Sequence, residues 1–407
     1  MKVNAFSKFA ENIYQLNKRY SIADWGFVFR YKGHSFLSFF SVSVYHLRYV
    51  MQQNSNQLNS LPSSNSAISS IPLNSPSHSI PLISVFNLCK RFNLEAGFFA
   101  RLGRYVNAVN GVSFSIGRDA SYGLVGESGC GKTTTARLLV RMYEADTGDI
   151  LFHMQDGSAQ KVGMLQGDAL KQYRQKVKYV FQDPARSLNP RMTVYEVLTS
   201  GAKWSRQSQE QRQTAALREN VKAILGEVGL SSGDMERRPV EFSGGQRQRI
   251  SIARGLLMHP ELLICDEVVS ALDVSIQGQI LNLLLDLRTN RKSRGESLSF
   301  LFIAHDLKVA CYFCDRIGVM YRGELMEEAP AQEIWKHALH PYTELLFSSA
   351  VGREPARQAQ THFTSAQTEN ACAFASRCPY TEKRCLEEKP DLQPAAENHL
   401  VRCWRNT

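Results

Sequence analysis

The stretch Gly126-Glu127-Ser128-Gly129-Cys130-Gly131-Lys132-Thr133 decides the fold. It follows the short apolar run Tyr122–Val125. It precedes Thr133–Tyr143, which reads as a helix with Ala136, Leu139, Val140 and Met142 on or near its buried side. Strand, glycine-rich loop and helix in that order form the context of a phosphate-binding loop. The glycines let backbone N–H groups turn inward around phosphates, and the helix N-terminus adds its positive end. Lys132 supplies a cation for the β- and γ-phosphates, and the Thr133 hydroxyl is placed to ligate Mg²⁺. Thr134 follows as a further phosphate candidate.

Working outward, Val177–Phe181, Leu262–Cys265, Leu298–Ile303 and Arg316–Tyr321 are apolar runs of strand length. Arg322-Gly323 between the last of these and Glu324–Glu328 reads as a hairpin turn. Residues from about Thr193 to Arg238 are helical in character, as is Gln246–Met258. Strands alternating with helices predict an α/β core with a largely parallel sheet.

Several of these strands end in polar groups suited to nucleotide chemistry. Leu262-Leu263-Ile264-Cys265 runs into Asp266-Glu267. There Asp266 would hold Mg²⁺, and Glu267 would orient and deprotonate an attacking water. Gln182, after Phe181, can reach the metal or the water. His305, after Phe302-Ile303-Ala304, can hydrogen-bond a γ-phosphate. Taken singly, Gln182 reads as a polar turn and His305 as a structural histidine; the ordered set reverses that. Ser243-Gly244-Gly245-Gln246 opens another helix, with Ser243 as its cap, and makes a second anion-binding helix N-terminus. One nucleotide does not need two cradles from one chain. A head-to-tail dimer, each second cradle closing on the other chain's ATP, explains both.

In order, type and approximate spacing these residues resemble the ABC ATPase family. Gly126–Thr133 is similar to its Walker A loop, Gln182 to the Q-loop, Ser243–Gln246 to the signature and Leu262–Asp266 to Walker B. Glu267 resembles the catalytic glutamate, Ser270-Ala271-Leu272-Asp273 the D-loop and His305 the switch histidine. The resemblance implies a P-loop NTPase of ABC type, with a RecA-like parallel-sheet core, an antiparallel β part and a helical subdomain at about 193–245. It also implies an aromatic against adenine: Phe92 matches that place best, with Tyr105 as the alternative. Val268 departs from the family, which has Pro there, as do Gly255 and Gly278, where Ala is common.

A narrower resemblance runs through Phe181–Arg191, Glu241–Arg249, Ala271–Gln277 and His340-Pro341-Tyr342-Thr343. These are similar to the ATPases of oligopeptide, dipeptide and nickel importers, and Cys265-Asp266-Glu267 with Ser270–Asp273 resembles the second of the two ATPases such importers pair. The expectation is a peripheral ATPase on the cytoplasmic face of the membrane. Its implied partners are a different ATPase subunit, two permease subunits and, through the complex, an extracytoplasmic solute-binding protein. Nickel or another non-peptide solute is an alternative cargo. A soluble ABC ATPase of DNA repair or translation is the rival reading; those carry two cassettes or a long coiled coil, and this sequence has one cassette and no sustained heptads.

The remaining regions separate by composition. The net charge of +10, from 48 basic and 38 acidic residues, is compatible with nucleic acid, an anionic membrane surface or phosphate-rich ligands and selects none; nucleic acid is not an expected partner. Residues 1–50 are basic and aromatic, an extension or a membrane-surface contact. Residues 51–80 carry no charged side chain, are rich in Ser, Asn, Gln and Pro, and read as a linker. The ATPase domain is expected over 81–335 and a C-terminal extension over 336–407. No run of about 18 apolar residues predicts a transmembrane helix, and no secretory signal is expected. Nine cysteines in 407 residues do not suggest a disulfide scaffold. Four of them, Cys372, Cys378, Cys385 and Cys403, gather near the end. Four thiolates suit Zn²⁺ or an iron–sulfur cluster, although the spacing matches no zinc ribbon. Arg377-Cys378-Pro379-Tyr380 resembles the tail of peptide-importer ATPases, some of which carry a [4Fe–4S] cluster; reduced buried thiols are the plain alternative.

Overall fold

Strands that end at the phosphate loop and its partners lie side by side in the computed structural model, which describes residues 81–93, 105–201, 214–351 and 370–406. The expected extension over 1–50 and linker over 51–80 lie outside the described residues. The described chain runs through β1 (Ile83–Asn93), β2 (Tyr105–Ile116), β3 (Ser121–Val125), α1 (Lys132–Leu139), β4 (Thr147–His153), β5 (Ala159–Lys161), α2 (Gly167–Lys176) and β6 (Val177–Val180). Helices α3 (Pro184–Ser187), α4 (Val194–Thr199), α5 (Thr214–Glu227) and α6 (Gly244–Leu256) come next. Then come β7 (Leu262–Asp266), α7 (Val274–Ser293), β8 (Ser299–Ala304), α8 (Leu307–Phe313), β9 (Arg316–Tyr321) and β10 (Glu324–Pro330). The C-terminal part holds α9 (Ala331–Lys336), α10 (Pro341–Val351), α11 (Lys383–Glu387), β11 (Gln393–Ala396) and β12 (His399–Val401).

The main sheet has the order β11-β12-β10-β9-β3-β8-β7-β6, and β9, β3, β8, β7 and β6 run parallel. Its inner strands are buried on both faces, which is why they read as unbroken apolar runs. In β7, Leu262 and Ile264 join one core, while Leu263 and Cys265 join the other. In β8, Leu301 and Ile303 face the first core, and Phe300 and Phe302 the second. The first core also contains Ala136 and Leu139 of α1 and the apolar side of an antiparallel sheet, β2-β1-β4-β5. The second core holds α6, α7 and the helices between β6 and α6, through Val197, Leu198, Val221, Leu225, Ile250 and Leu284.

The register places the site. Val125 pairs with Ala304, Asp266 with Ile303, and Val180 with Cys265. The C-terminal ends of four neighbouring parallel strands therefore deliver the phosphate loop, His305, Asp266-Glu267 and Gln182 along one edge, the side where open α/β sheets bind ligands. Arg322 and Gly323 both take left-handed backbone (φ 44° and 86°) between the paired Tyr321 and Glu324, as a two-residue hairpin requires. The first helix is shorter than its sequence pattern. Arg141 turns left-handed (φ 55°), α1 stops at Leu139, and Met142 is exposed rather than buried.

The C-terminal part is tied to β10. Glu327, fully buried, accepts hydrogen bonds from the backbone N–H of Leu339 (2.7 Å) and His340 (3.0 Å) and pairs with His399 Nε2 (2.7 Å). His340 in turn accepts the Tyr342 N–H on Nδ1 (3.0 Å) at the start of α10, ahead of Pro341 at the first helical position.

Candidate active site

The loop between β3 and α1 closes tightly against its neighbours. Gly131 has φ 110°, and a Cβ there would lie 2.1 Å from the Ala108 carbonyl oxygen; one on Gly126 would lie 2.1 Å from that of Met320. Only glycine fits either place. Ser128 and Gly129 stand exposed at the apex, Thr134 is half-buried in α1, and the buried Cys130 thiol has its pKa raised by burial. Lys132, almost fully buried, arches over the loop and donates from Nζ to the carbonyls of Gly126 (2.8 Å) and Glu127 (2.9 Å).

Thr133 Oγ1 donates to Asp266 Oδ1 at 3.0 Å, bringing together the two residues expected at Mg²⁺. Tyr179 of β6 donates its hydroxyl to the other oxygen of Asp266. Glu267, one residue on, has left-handed backbone (φ 48°). Its amide donates to Ile303 O (3.1 Å), and Ser270 pins the turn by donating N–H and Oγ to Glu267 O. This reversal aims the carboxylate away from Asp266. Gln182 Nε2 donates to Glu267 Oε2 at 2.7 Å, and His305 Nδ1 lies 4.0 Å from the same oxygen. Gln182, Glu267 and His305 thus converge beside the Thr133–Asp266 pair. Val268, in place of the family's Pro, is buried in the second core.

Other expected residues stand apart from that centre. Ser243 and Gln246 form a reciprocal capping box on α6: Ser243 Oγ accepts the Gln246 N–H (3.3 Å) and Gln246 Oε1 accepts the Ser243 N–H (3.0 Å). Ser243, Gly244 and Gln246 are exposed, while Gly245 packs on Ile276. Asp273 caps α7 through its backbone and is exposed. Among the described residues no hydrogen bond or ion pair joins these groups to the phosphate loop. Phe92 sits half-buried at the end of β1 with its ring edge-on to Tyr143 (5.3 Å), and Tyr105 is exposed at the start of β2.

Sequence reasoning missed Tyr179, Tyr342 and Arg377. Arg377 donates to both carboxylate oxygens of Glu127 at 2.8 Å, and Tyr342 Oη accepts the Glu127 N–H at 2.9 Å. The hydrogen bonds from Arg377 pull the Glu127 carboxyl below its ordinary pKa. Their signals were indirect: Tyr179 sits in the strand that ends at Gln182, and Tyr342 and Arg377 lie in the two tail stretches that resemble peptide-importer ATPases.

Cys372, Cys378, Cys385 and Cys403 all border one cavity of about 20 Å³, with Cys372 N–H donating to Cys385 O (2.9 Å). Burial raises the thiol pKa of Cys372 to about 11 and also raises those of Cys378 and Cys403. Among the described residues no group of three or more His, Cys, Asp or Glu side chains is arranged to hold a metal ion, so neither zinc nor a [4Fe–4S] cluster finds support in this geometry.

Comparison with known proteins identifies the family. The family described as ABC transporter matches residues 109–270, and the one described as oligopeptide/dipeptide transporter, C-terminal region, matches 326–385. The chain is 40% identical over 330 residues to the oligopeptide transport ATP-binding protein AppF of Bacillus subtilis, covering 79% of this chain and 96% of that one. It is 46% identical over 244 residues to OppF of the same organism, covering 60% and 76%. The solved structure of cbiO1 from Clostridium perfringens shares the fold, with a TM-score of 0.51 at 23% identity over 63% of this chain and 91% of that one. The chain belongs to the ABC transporter family as an ATP-binding, ATP-hydrolysing subunit of the oligopeptide/dipeptide type.

Proposed function

We propose that this subunit powers peptide uptake through a membrane importer and hydrolyses ATP at a site completed by a second, different ATPase subunit. The observation that carries the reading is the meeting of Gln182, Glu267 and His305 beside the Thr133–Asp266 pair. Lys132 and the loop amides would hold the β- and γ-phosphates, and Phe92 would lie against the adenine. Thr133, Asp266 and Gln182 would be the oxygen donors for Mg²⁺, hard ligands of the kind that ion takes. When bound, Mg²⁺ neutralises charge developing on the transferred phosphoryl group. Glu267 takes the proton of the attacking water, Gln182 fixes the Glu267 carboxylate by donating to Oε2, and His305 hydrogen-bonds the γ-phosphate.

The exposed capping box of α6 and the exposed Asp273 support a role on the partner's nucleotide. An open cleft of about 620 Å³ runs from Thr133 and Asp266 of the nucleotide site past Gln182 to Arg186, Leu198 and Ser200, and its far end would suit contact with a permease subunit. No helix of the described residues is long and apolar enough to cross a membrane, which fits a peripheral place on the cytoplasmic face. The C-terminal region and the relatives' names support peptides as cargo, delivered by an extracytoplasmic binding protein. A [4Fe–4S] cluster on Cys372, Cys378, Cys385 and Cys403 rests on the tail's resemblance alone: the four thiols border one cavity of about 20 Å³, and among the described residues no group of them is arranged to hold a metal ion.

In the assembled complex Glu267→Gln lowers steady-state hydrolysis by about 100-fold or more while ATP stays bound; undiminished turnover would falsify the role of Glu267. Oligopeptides with the binding protein should stimulate the wild-type complex. Stimulation by nickel ions instead would overturn the cargo. Anaerobically purified protein free of iron would end the cluster reading.

A further inference from the structure

We propose that Arg377 and Tyr342 of the C-terminal extension are positioning residues for ATP binding, holding Glu127 of the phosphate loop away from the nucleotide's phosphates. The loop works by presenting N–H groups and Lys132 to anionic oxygens, yet its second residue is a carboxylate. Left to turn toward the nucleotide, that carboxylate opposes the phosphates with charge of the same sign. In the structure both its oxygens are taken by the Arg377 guanidinium at 2.8 Å, in the two-pronged geometry that makes such pairs strong. The backbone of Glu127 is fixed as well: its N–H goes to Tyr342 Oη and its carbonyl to Lys132 Nζ.

The clamp itself is rigid. Tyr342 is buried and packs on Tyr321 and Phe374, with ring centroids 4.7 and 5.3 Å away. The Arg377 guanidinium lies 5.7 Å from the centroids of the same two rings, on a one-turn helical segment whose Arg377 N–H is held by Phe374 O (3.0 Å). A half-exposed ion pair is ordinarily worth little. This one is two-pronged and mounted on buried aromatics, so it loses little side-chain freedom on forming. It also crosses from the extension to the nucleotide site, which gives the extension a direct hold on ATP affinity.

The test is a double-mutant cycle on the full-length chain, with equilibrium MgATP binding and, in the assembled complex, KM and kcat. Arg377→Gln should raise Kd and KM for ATP by about 3- to 10-fold with kcat changed by less than about 2-fold. Arg377→Lys, which keeps the charge and loses the second prong, should fall between. In a Glu127→Gln background the same Arg377→Gln change should leave Kd within about 2-fold. An unchanged Kd in Arg377→Gln overturns the proposal. So does an equal weakening in both backgrounds, which would assign Arg377 to packing on Tyr321 alone. Should Arg377→Gln fail to fold, the Arg377→Lys arm of the cycle decides by the same criterion.

Discussion

Asp266 and Glu267 are sequence neighbours with opposite surroundings. Asp266 is the last residue of a buried strand, and both its oxygens are engaged, by Thr133 and Tyr179. Glu267 lies past a left-handed turn and reaches the Gln182 and His305 side. One backbone reversal thus separates the carboxylate held by Thr133 and Tyr179 from the one held by Gln182. Tyr179→Phe removes a donor that orients Asp266; the free Mg²⁺ giving half-maximal hydrolysis should rise by about 5-fold, equivalent to about 1 kcal/mol, as read from a Mg²⁺ titration. The motif residues were legible because each is a polar group ending an apolar run. Tyr179, Tyr342 and Arg377 were not, because their contacts span 87, 215 and 250 residues. No local pattern records such a contact.

Two glycines that depart from the family behave differently within their helices. At Gly278 in α7 an added Cβ meets nothing within 4 Å, whereas at Gly255 in α6 it would lie 2.9 Å from Leu263 Cδ1. Gly278→Ala should therefore stabilise the chain by about 0.5–1 kcal/mol, raising Tm by about 2 °C. Gly255→Ala should give a smaller gain or a loss, because Leu263 must move. Calorimetry on the two variants separates them, and equal gains would contradict the packing described here. Elements differed in legibility for a related reason. The parallel strands carry apolar side chains on both faces and stand out. Strand β1 has irregular pairing between Val85 and Leu88, Leu88 and Lys90, and Lys90 and Arg91, so its alternation is broken and it did not. Strands β11 and β12, of four and three residues, are too short to show a period.

At the scale of the molecule, the C-terminal extension is fastened by groups that titrate. Burial lowers the His340 pKa from 6.5 to about 4, against the opposing pull of Glu327, and its neutral Nδ1 caps α10. The unfolded chain takes up this proton below about pH 6.5 while the folded chain does not. The stability tied to a neutral His340 is therefore complete above that pH and is lost as pH falls toward about 4, by at most roughly 3 kcal/mol. His340→Asn, which can still accept the Tyr342 N–H, should flatten the fall in Tm between about pH 6.5 and 4.5. A slope matching wild type would place the acid sensitivity elsewhere. The four cysteines show the limit of spacing as a guide at this scale. Their separations match no metal pattern, and what gathers them is the backbone bond from Cys372 to Cys385 and the packing of the tail.

Glu327 has a consequence for how such chains can be recombined. It belongs to the cassette by sequence, on β10, but its charge is satisfied by Leu339, His340 and His399 of the tail. A chain cut after Lys336 would strip Glu327 of those partners and of the strand β12 that covers it, and denaturant unfolding should find it less stable than the full chain. The exchangeable module is therefore cassette and tail together, and a tail grafted from another subunit would need a matching acid on the strand that receives it.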